Sequence, residues 1–372
     1  MGEREDTSVP LRVLLALHQG GGAGSVNSTL ALGLGLRARG VDARLVCPPG
    51  SPVEAEARAG GLPVHPLPLA RQSRFMNARA LGALLREQPV DIINSQGSRD
   101  REAFTWLGLT GRLPAPLVLT RRSFPRSTRL QNWLAARVSH RIIALSESVR
   151  GELVGRGTPA GKVVVVPSGF VASRMDRPVS EAERDAWRAR IGWEPSRRVI
   201  GVVARPKDQA VVLAALAHVA TPVRLVLAGL DAAALAAPLP PVPERHAVVR
   251  LPFEPAIRPL YDLLELALHP SRWDAFPQAV LEALALGLPV VASNATGNAE
   301  IIRPEVDGLL VEPTDPAAWA AAIDRVLGDP ALAARLGAAG RRRAREDFSL
   351  DRMLDRTLAV YHAVLAERAL RR

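Results

Sequence analysis

The chain has 372 residues, which predicts two domains and leaves one large domain as the alternative. Hydrophobic residues make up 48% and charged residues 23%, which excludes collagen-like and wholly disordered proteins, and the single cysteine, Cys47, excludes a disulfide framework or multi-cysteine metal site. The formal net charge of +11 favours anionic partners such as phosphates or acidic lipid, whereas no nucleic-acid-binding motif is present.

The predicted elements begin with a short apolar strand at 11–17. A secretory signal needs roughly 7–15 apolar residues, and this run ends at His18, so we expect a cytoplasmic protein. A glycine cluster, a helix over 28–39 and a strand at Asp42–Cys47 then give the β–α–β pattern of a parallel sheet. Further short apolar strands, typical of a sheet covered on both faces, are predicted at 90–94, 117–120, 141–145 and 162–166.

A polar, proline-containing stretch at 173–196 is predicted to be a linker with a short helix. A second series of strands follows at 199–204, 224–228, 247–251, Leu266–His269, Val290–Ser293 and Leu309–Val311. We therefore predict an α/β protein with parallel-sheet domains at 1–172 and 197–348 and a C-terminal helix at 349–372. Ligands of such sheets bind at the carboxyl ends of the strands, so the expected site is a cleft that the two domains face.

The glycine-rich loop at 19–25 (QGGGAGS) lies between the first strand and the first helix. Glycines let the backbone approach an anion, and a helix start presents free N–H groups, so Gly22 and Ser25 are candidate ligand contacts. A tight strand-to-helix turn is the alternative, and the spacing leaves both open. No acidic residue ends the second strand convincingly, which argues against dinucleotide binding.

Arg205 and Lys207 follow the first strand of the second series. Two cations at a strand end can clamp a diphosphate. Only two lysines, Lys162 and Lys207, occur among the 48 basic residues, which favours a specific role for Lys207. The alternative is a pair of solvated surface cations.

The most specific stretch is 268–293 (LHPSRWDAFPQAVLEALALGLPVVAS). It predicts a strand, a loop with Asp274, a helix from about Pro277 to Gly287 and a further strand. Asp274 and Glu282 could grip hydroxyl groups of two neighbouring rings; alternatively, Asp274 caps the helix and Glu282 forms a salt bridge. Glu282 lies within an apolar run, where a buried carboxylate needs a partner.

Residues 265–315 resemble the signature region of retaining glycosyltransferases of family 4, which have the GT-B fold. The glycine-rich loop, the segment VVVPSGF at 164–170 and the C-terminal helix resemble other parts of that family. At the positions of that signature the chain has Pro270, Ser271, Asp274, Ala275, Phe276, Pro277, Glu282, Ala283, Ala285, Gly287, Pro289, Val290, Val291, Ala292, Ser293, Gly297, Glu300 and Gly308.

The resemblance implies retaining transfer of a sugar from a UDP- or GDP-linked nucleotide-sugar, without a metal, to a glycan or lipid-linked acceptor of cell-envelope polysaccharide or lipopolysaccharide synthesis. It assigns Arg205 and Lys207 to the diphosphate, Asp274 to the sugar and Glu282 to the ribose. Further donor contacts are implied for Gly297, Asn298 and Glu300.

Several residues depart from the family pattern. Asp274 replaces a glutamate, Asp208 replaces a glycine, and histidines of the first domain are absent at the matched positions. Three polar residues remain acceptor-side candidates: His18, Gln96 and Arg122. These departures favour, as the alternative function, a catalytically weakened GT-B relative that binds a sugar nucleotide or a glycan.

Arginines crowd the middle of the first domain, which favours an anionic acceptor at the inner face of a membrane. Ordinary solvated arginine in an arginine-rich chain is the alternative. The arginines are Arg71, Arg74, Arg79, Arg99, Arg101, Arg121, Arg122, Arg126 and Arg129.

Overall fold

The computed structural model describes residues 10–21, 24–70 and 74–370. The chain divides into two compact units, each considered by itself: unit 1 comprises Met1–Gly169 and Leu350–Arg372, and unit 2 comprises Phe170–Ser349. None of the helices in the described ranges has the length and apolar character needed to cross a membrane.

Unit 1 begins with strands and helices in strict alternation. In chain order they are β1 (Arg12–Ala16), α1 (Gly24–Ala38), β2 (Asp42–Cys47), α2 (Pro52–Ala59), β3 (Val64–Pro66), α3 (Arg74–Glu87), β4 (Ile92–Ser95), α4 (Ser98–Leu109), β5 (Leu117–Arg121), α5 (Arg129–Val138), β6 (Arg141–Ala144), α6 (Glu147–Gly155) and β7 (Val163–Val165).

Unit 2 has the same kind of alternation after two leading helices. Its elements are α7 (Ala172–Asp176), α8 (Glu181–Ile191), β8 (Arg198–Val203), α9 (Gln209–Ala215), β9 (Val223–Leu230), α10 (Ala232–Ala236), β10 (Ala247–Pro252), α11 (Arg258–Leu263), β11 (Leu266–His269), α12 (Gln278–Leu286), β12 (Val290–Ser293), α13 (Thr296–Ile301), β13 (Leu309–Val311), α14 (Pro316–Gly328) and α15 (Pro330–Asp347). The last helix, α16 (Leu350–Ala369), belongs to unit 1.

Each unit is built on one parallel sheet. Over the described residues, the sheet of unit 1 has the order β3-β2-β1-β4-β5-β6-β7 and that of unit 2 has the order β10-β9-β8-β11-β12-β13. Helices cover these sheets, so strands such as β1 and β12 are buried along nearly their whole length and read as continuous apolar runs. The predicted pair of parallel-sheet domains is thereby confirmed.

The core of unit 1 includes side chains from α16. Leu15 and Leu45 pair across β1 and β2, and they belong to one cluster with Leu354 and Tyr361 of α16. In unit 2, the indole of Trp319 on α14 is fully buried in the corresponding cluster. Both cores are built mainly from aliphatic residues, as the low aromatic content requires.

Several predicted bounds differ from the structure. Helix α1 begins at Gly24 rather than at 28, so Ser25 lies in its first turn. The edge strand β3 was missed because three residues are too few to show a pattern. The stretch 173–196 contains α8, whose start is fixed by a capping box between Ser180 and Glu183, and it groups with unit 2.

Helices α12 and α15 approach each other closely at two glycines. A Cβ atom at Gly337 would overlap the carbonyl oxygen of Gly287, which ends α12 in the left-handed conformation at φ 80°. Backbone atoms cannot yield as a flexible side chain can, so this packing requires glycine at 337.

We expect Gly337→Ala to lower the free energy of unfolding by about 1–3 kcal/mol because the two helices must separate. Urea unfolding followed by circular dichroism measures the change. Gly328→Ala is the matched control, since a Cβ atom at that helical glycine meets nothing within 4 Å. Equal stability of the two variants would contradict the interpretation.

Candidate functional site

The carboxyl ends of β8 and β11 bring two predicted site residues together in unit 2. Lys207 lies in the loop after β8, and Asp274 lies in the loop between β11 and α12. Lys207 Nζ donates to Asp274 Oδ2 at 2.6 Å, and the side chains are 38% and 20% exposed. The cation predicted for the diphosphate is thus paired with the acid predicted for the sugar.

The Asp274 carboxylate is ionised over the neutral range. Burial by itself would raise its pKa, but the neighbouring His269 and Lys207 outweigh that effect and lower the pKa to about 2. His269 Nε2 lies 3.8 Å from Asp274 Oδ2, which is beyond hydrogen-bond distance. Asp274 can therefore accept hydrogen bonds from hydroxyl groups at physiological pH.

The loops that carry Lys207 and Asp274 are tied to each other by Asp208. Its carboxylate accepts from the backbone N–H of Arg272 at 2.9 Å and from Arg272 Nε at 3.0 Å. Asp208 itself has φ 57°, in the left-handed region that glycine favours and that aspartate tolerates better than most residues. The replacement of the family's glycine thus adds a link between the two loops.

Gly297 and Asn298 form hydrogen bonds with the loop that carries Asp274. Gly297 donates its N–H to the carbonyl oxygen of Asp274 at 3.0 Å, and a Cβ atom there would lie 2.6 Å from the carbonyl oxygen of Ala275. Asn298 is fully buried, and its Nδ2 donates to Ser271 O and Ser293 Oγ. These bonds hold the loop, and the donor contacts of Gly297 and Asn298 stay a prediction.

Glu282 projects from α12 beside Tyr261. The Tyr261 hydroxyl donates to Glu282 Oε2 at 3.1 Å, and Tyr261 is almost fully buried. Burial raises the pKa of the Glu282 carboxyl, while the charge of Arg174 and the Tyr261 hydrogen bond oppose the rise. Tyr261 is the partner that the apolar run around Glu282 required, and no sequence signal identified it.

The remaining two donor candidates of unit 2 lie at the surface or near it. Arg205 is exposed, and its carbonyl oxygen accepts from Gln209 Nε2 at 2.7 Å. Glu300 is half-buried on α13, and its carbonyl oxygen accepts from Arg343. The structure thus places Arg205 on the same loop as Lys207.

In unit 1, His18 pairs with an acid that the sequence analysis missed. His18 Nδ1 lies 3.1 Å from Asp100 Oδ1, and Asp100 is fully buried. The other carboxylate oxygen accepts from Ser95 Oγ and from the N–H groups of Gln96 and Gly97. A carboxylate bound in this way fixes the orientation of the imidazole, as in known acid–base pairs.

Gly97 makes this pair possible. A Cβ atom at 97 would overlap His18 Nδ1 and lie 2.5 Å from Asp100 Oδ1. The second ring nitrogen of His18 lies 3.5 Å from Ser98 Oγ, at the limit of a hydrogen bond. The imidazole is held by one strong and one weak partner, and it is 11% exposed.

Gln96 and Arg122 belong to a polar network in unit 1. Arg122 Nε donates to Gln96 Oε1 at 2.8 Å, and Arg122 Nη1 donates to Ser28 Oγ at 2.6 Å. Burial lowers the pKa of the Arg122 guanidinium to about 10. None of the described acidic residues pairs with Arg122 within salt-bridge distance, so it is a cation held by neutral acceptors.

The network extends to α16. Gln96 Nε2 donates to Asn94 Oδ1 at 3.0 Å, and Asn94 Nδ2 donates to the Tyr361 hydroxyl at 2.5 Å. Thr120 Oγ1 also donates to Asn94 Oδ1. Gln96 and Arg122 are therefore held in place by hydrogen bonds to buried side chains.

Two side chains of the glycine-rich loop form a hydrogen bond with each other. Ser25 Oγ donates to Gln19 Oε1 at 2.9 Å across the loop. Gly22, predicted as a donor contact, and Arg71, predicted for the acceptor side, lie outside the described residues.

Family models match both halves of the chain. "Glycosyltransferase Family 4" matches residues 22–174, and "Glycosyl transferases group 1" matches residues 183–343. A D-inositol 3-phosphate glycosyltransferase of Segniliparus rotundus is 33% identical over 223 residues, which cover 56% of this chain and 49% of that protein. An uncharacterised glycosyltransferase of Methanocaldococcus jannaschii is 28% identical over 246 residues, 63% of each chain.

The chain spans less than two thirds of the length of these relatives. It covers 22% of a D-inositol 3-phosphate glycosyltransferase of Salinispora tropica and 63% of the Methanocaldococcus jannaschii protein. The structure of Anabaena HepE in complex with UDP-glucose is similar at a TM-score of 0.80 and 19% identity, covering 95% of this chain and all of that one. A glycosyltransferase from Rickettsia africae is similar at a TM-score of 0.79 and 19% identity, covering 96% and 99%. The chain has the GT-B fold, and each half of it matches a glycosyltransferase family model.

We expect the interactions of the Asp274 carboxylate with His269 and Lys207 to stabilise the fold by about 2 kcal/mol above pH 4, and this contribution to be lost as the pH falls from 4 to 2. The sign follows because the folded-state pKa of about 2 lies below the ordinary value of 3.8. Urea unfolding at about pH 6 and about pH 2.5 compares wild type with Asp274→Asn. Asp355→Asn, an exposed acid of unit 1, is the control, and an unchanged pH dependence in Asp274→Asn would refute the pairing.

Proposed function

We propose that this family 4-like GT-B protein is a retaining, metal-independent glycosyltransferase. It moves a hexosyl group from a UDP- or GDP-linked sugar to a glycan or lipid-linked acceptor of cell-envelope polysaccharide. The observation that carries the proposal is the pair of Lys207 and Asp274 at adjacent strand ends of unit 2, which offers one cation and one ionised acid to a single ligand.

The donor's diphosphate is assigned to Lys207 and Arg205. Both lie on the loop after β8, and a phosphate oxygen competes with Asp274 for the Lys207 ammonium group through a charge-assisted hydrogen bond. Two protein cations stabilise the negative charge that develops as the diphosphate leaves. The similarity to Anabaena HepE, whose structures hold UDP, glucose and UDP-glucose, supports a nucleotide-sugar as the ligand.

The sugar and the ribose are assigned to the two acids. Asp274 accepts hydrogen bonds from sugar hydroxyls, and its loop is held by Asp208, Thr296 and Gly297 before any ligand arrives. Glu282 accepts from ribose hydroxyls while Tyr261 occupies Oε2. Loops that are already held cost less ordering on binding, which favours catalysis by orientation.

The chemical step breaks the bond between the anomeric carbon and the diphosphate oxygen. The acceptor oxygen forms its bond on the same face, and its proton passes to an oxygen of the departing diphosphate. The base is thus the leaving group itself, so the reaction does not depend on the first-domain histidines that the chain lacks. His18, oriented by Asp100, is assigned to an acceptor hydroxyl.

The acceptor side of unit 1 also carries an exposed surface suited to a lipid. Helices α3, α4 and α5 present large apolar side chains, and the rings of Phe75 and Trp106 lie 5.0 Å apart, edge to face. We call these residues the α3–α5 surface. They are Phe75, Met76, Trp106, Leu130 and Trp133, between 45% and 70% exposed.

Arginines accompany the α3–α5 surface. Arg74 lies over the Phe75 ring at 5.1 Å, and Arg137 lies over the Trp133 ring at 5.8 Å. Between residues 74 and 138 the sequence has eleven arginines and four acidic residues, although Arg121 is buried and Arg122 belongs to the internal polar network. Aromatic side chains at the headgroup level with arginines beside them favour an anionic leaflet, at about 1 kcal/mol per basic residue. We therefore place the acceptor at the cytoplasmic face of the inner membrane.

We expect Lys207→Met and Glu282→Gln each to weaken the binding of the donor by about tenfold to a hundredfold, because each removes a charged hydrogen-bond partner. The donor is first selected by the rise in melting temperature with UDP-glucose, GDP-mannose and ADP-glucose, and affinity is then measured by isothermal titration calorimetry.

Lys162→Met is the matched control, because Lys162 is the other lysine and donates to carbonyl oxygens of Ala136 and Ser139 in unit 1. It is expected to lower stability and to leave donor affinity unchanged. Product analysis by NMR then gives the anomeric configuration. Tight nucleotide binding with no transfer and no donor hydrolysis would instead support a sugar-nucleotide-binding protein.

We expect the double variant Trp106→Ser, Trp133→Ser to lose about tenfold in binding to vesicles that contain phosphatidylglycerol, since two rings leave the interface. Sedimentation with phosphatidylglycerol and with phosphatidylcholine vesicles measures this. Trp193→Ser is the control, because Trp193 in unit 2 is 44% exposed and lies under Arg188 in the same way. Binding that ignores lipid charge and salt would exclude the α3–α5 surface as a membrane contact.

A further inference from the structure

His269 is a buried imidazole without a hydrogen-bond partner among the described residues. It is the last residue of β11, is 3% exposed, and none of the described residues hydrogen-bonds either ring nitrogen. Leaving two buried polar atoms unsatisfied destabilises a protein, so such a group calls for a state of the molecule in which it is used. The sequence alone favoured a packing role for this residue.

The Asp274 carboxylate is a group close to the ring that could satisfy it. His269 Nε2 lies 3.8 Å from Asp274 Oδ2, the same oxygen that Lys207 Nζ contacts at 2.6 Å. Asp274 Oδ2 thus has Lys207 within hydrogen-bond distance and His269 just beyond it. A shift of about 1 Å between ring and carboxylate would form a hydrogen bond.

The His269 ring is not closely packed on every side. His269 borders a small apolar cavity between β8, β11 and α12, whose lining includes Gly201, Val203 and Val290. The loop around Asp274 is anchored through backbone groups, with Gly297 N–H on the Asp274 carbonyl and the Thr296 hydroxyl on the Asp274 N–H. These bonds leave the Asp274 side chain able to turn while the backbone stays in place.

Binding of the donor's diphosphate would favour a hydrogen bond between His269 and Asp274. If it takes Lys207, as the proposed function states, Asp274 Oδ2 loses its short ion pair at the moment when the sugar arrives. A carboxylate of this low exposure needs a replacement partner, since an unpaired buried charge is strongly disfavoured.

We propose that His269 is a positioning residue which takes over the Asp274 carboxylate from Lys207 when a nucleoside diphosphate binds Lys207. The exchange keeps one oxygen of Asp274 oriented and leaves the other to the sugar. No proton transfer or covalent change is involved. The inference rests on the proposed function, because it needs Lys207 to bind the diphosphate.

The first test compares the affinity of UDP with that of UDP-glucose by calorimetry, or of GDP with GDP-mannose if the guanine pair raises the melting temperature more. In His269→Leu, we expect the nucleoside diphosphate to bind as in wild type and the sugar nucleotide to bind at least about tenfold more weakly. His269→Gln, which retains an N–H donor, is expected to recover most of the loss.

His246→Leu is the matched control. His246 is also a buried histidine of unit 2, 6% exposed with Nε2 unpartnered, and its Nδ1 accepts from the N–H of Val223. A purely structural role of His269 predicts equal weakening of both ligands in His269→Leu, and that result would overturn the inference.

The second test needs no histidine variant. With ¹⁵N-labelled histidine, adding the nucleoside diphosphate is expected to move the His269 Nε2 resonance of wild type in the direction in which Lys207→Met moves it without ligand. Identical His269 resonances in Lys207→Met and wild type would overturn the inference, while leaving the proposed function standing. If wild type binds none of the nucleotides, the proposed function and the inference fall together.

Discussion

The contact between Lys207 and Asp274 is the interaction on which the donor side of unit 2 depends. The two side chains come from loops after different strands, 67 residues apart in the chain, and meet because parallel strands end at one edge of their sheet. The bond between Asp208 and Arg272 joins the same two loops a second time. The pair keeps an acid ionised and a cation in place without ligand, so the charges that the proposed sugar nucleotide would contact are present beforehand.

The sequence was sufficient for much of this side because the relevant signals are local. Strands such as β11 and β12 appear as short apolar runs, and Lys207 and Asp274 lie four and five residues after the ends of their strands. The rest depends on contacts distant in sequence. Asp100 lies 82 residues after His18, and Tyr261 lies outside the helix that carries Glu282, so no spacing rule connects them.

Close contacts between backbone segments, and the hydrogen bonds of buried polar side chains, also cannot be predicted from the sequence. Gly297 and Asn298 belong to a segment that resembles a donor contact, yet one packs against the carbonyl oxygens of 274 and 275 and the other is fully buried. Arg122 and Gln96 likewise bond to buried partners, including Ser28, Asn94 and Ser168. A residue type consistent with ligand binding can equally hold the residues that bind, and only the three-dimensional contacts distinguish the two.

The place of α16 has a consequence for how the chain acquires its structure. This helix follows all of unit 2 in the sequence, yet Leu354 and Tyr361 lie in the core of unit 1, and Tyr361 bonds to Asn94 at the end of β4. On the ribosome, unit 2 is a continuous stretch that can fold as soon as it emerges, whereas the earlier-made unit 1 must wait for the last helix. The part synthesised first is therefore completed last, and its apolar surface is the one that a chaperone would meet.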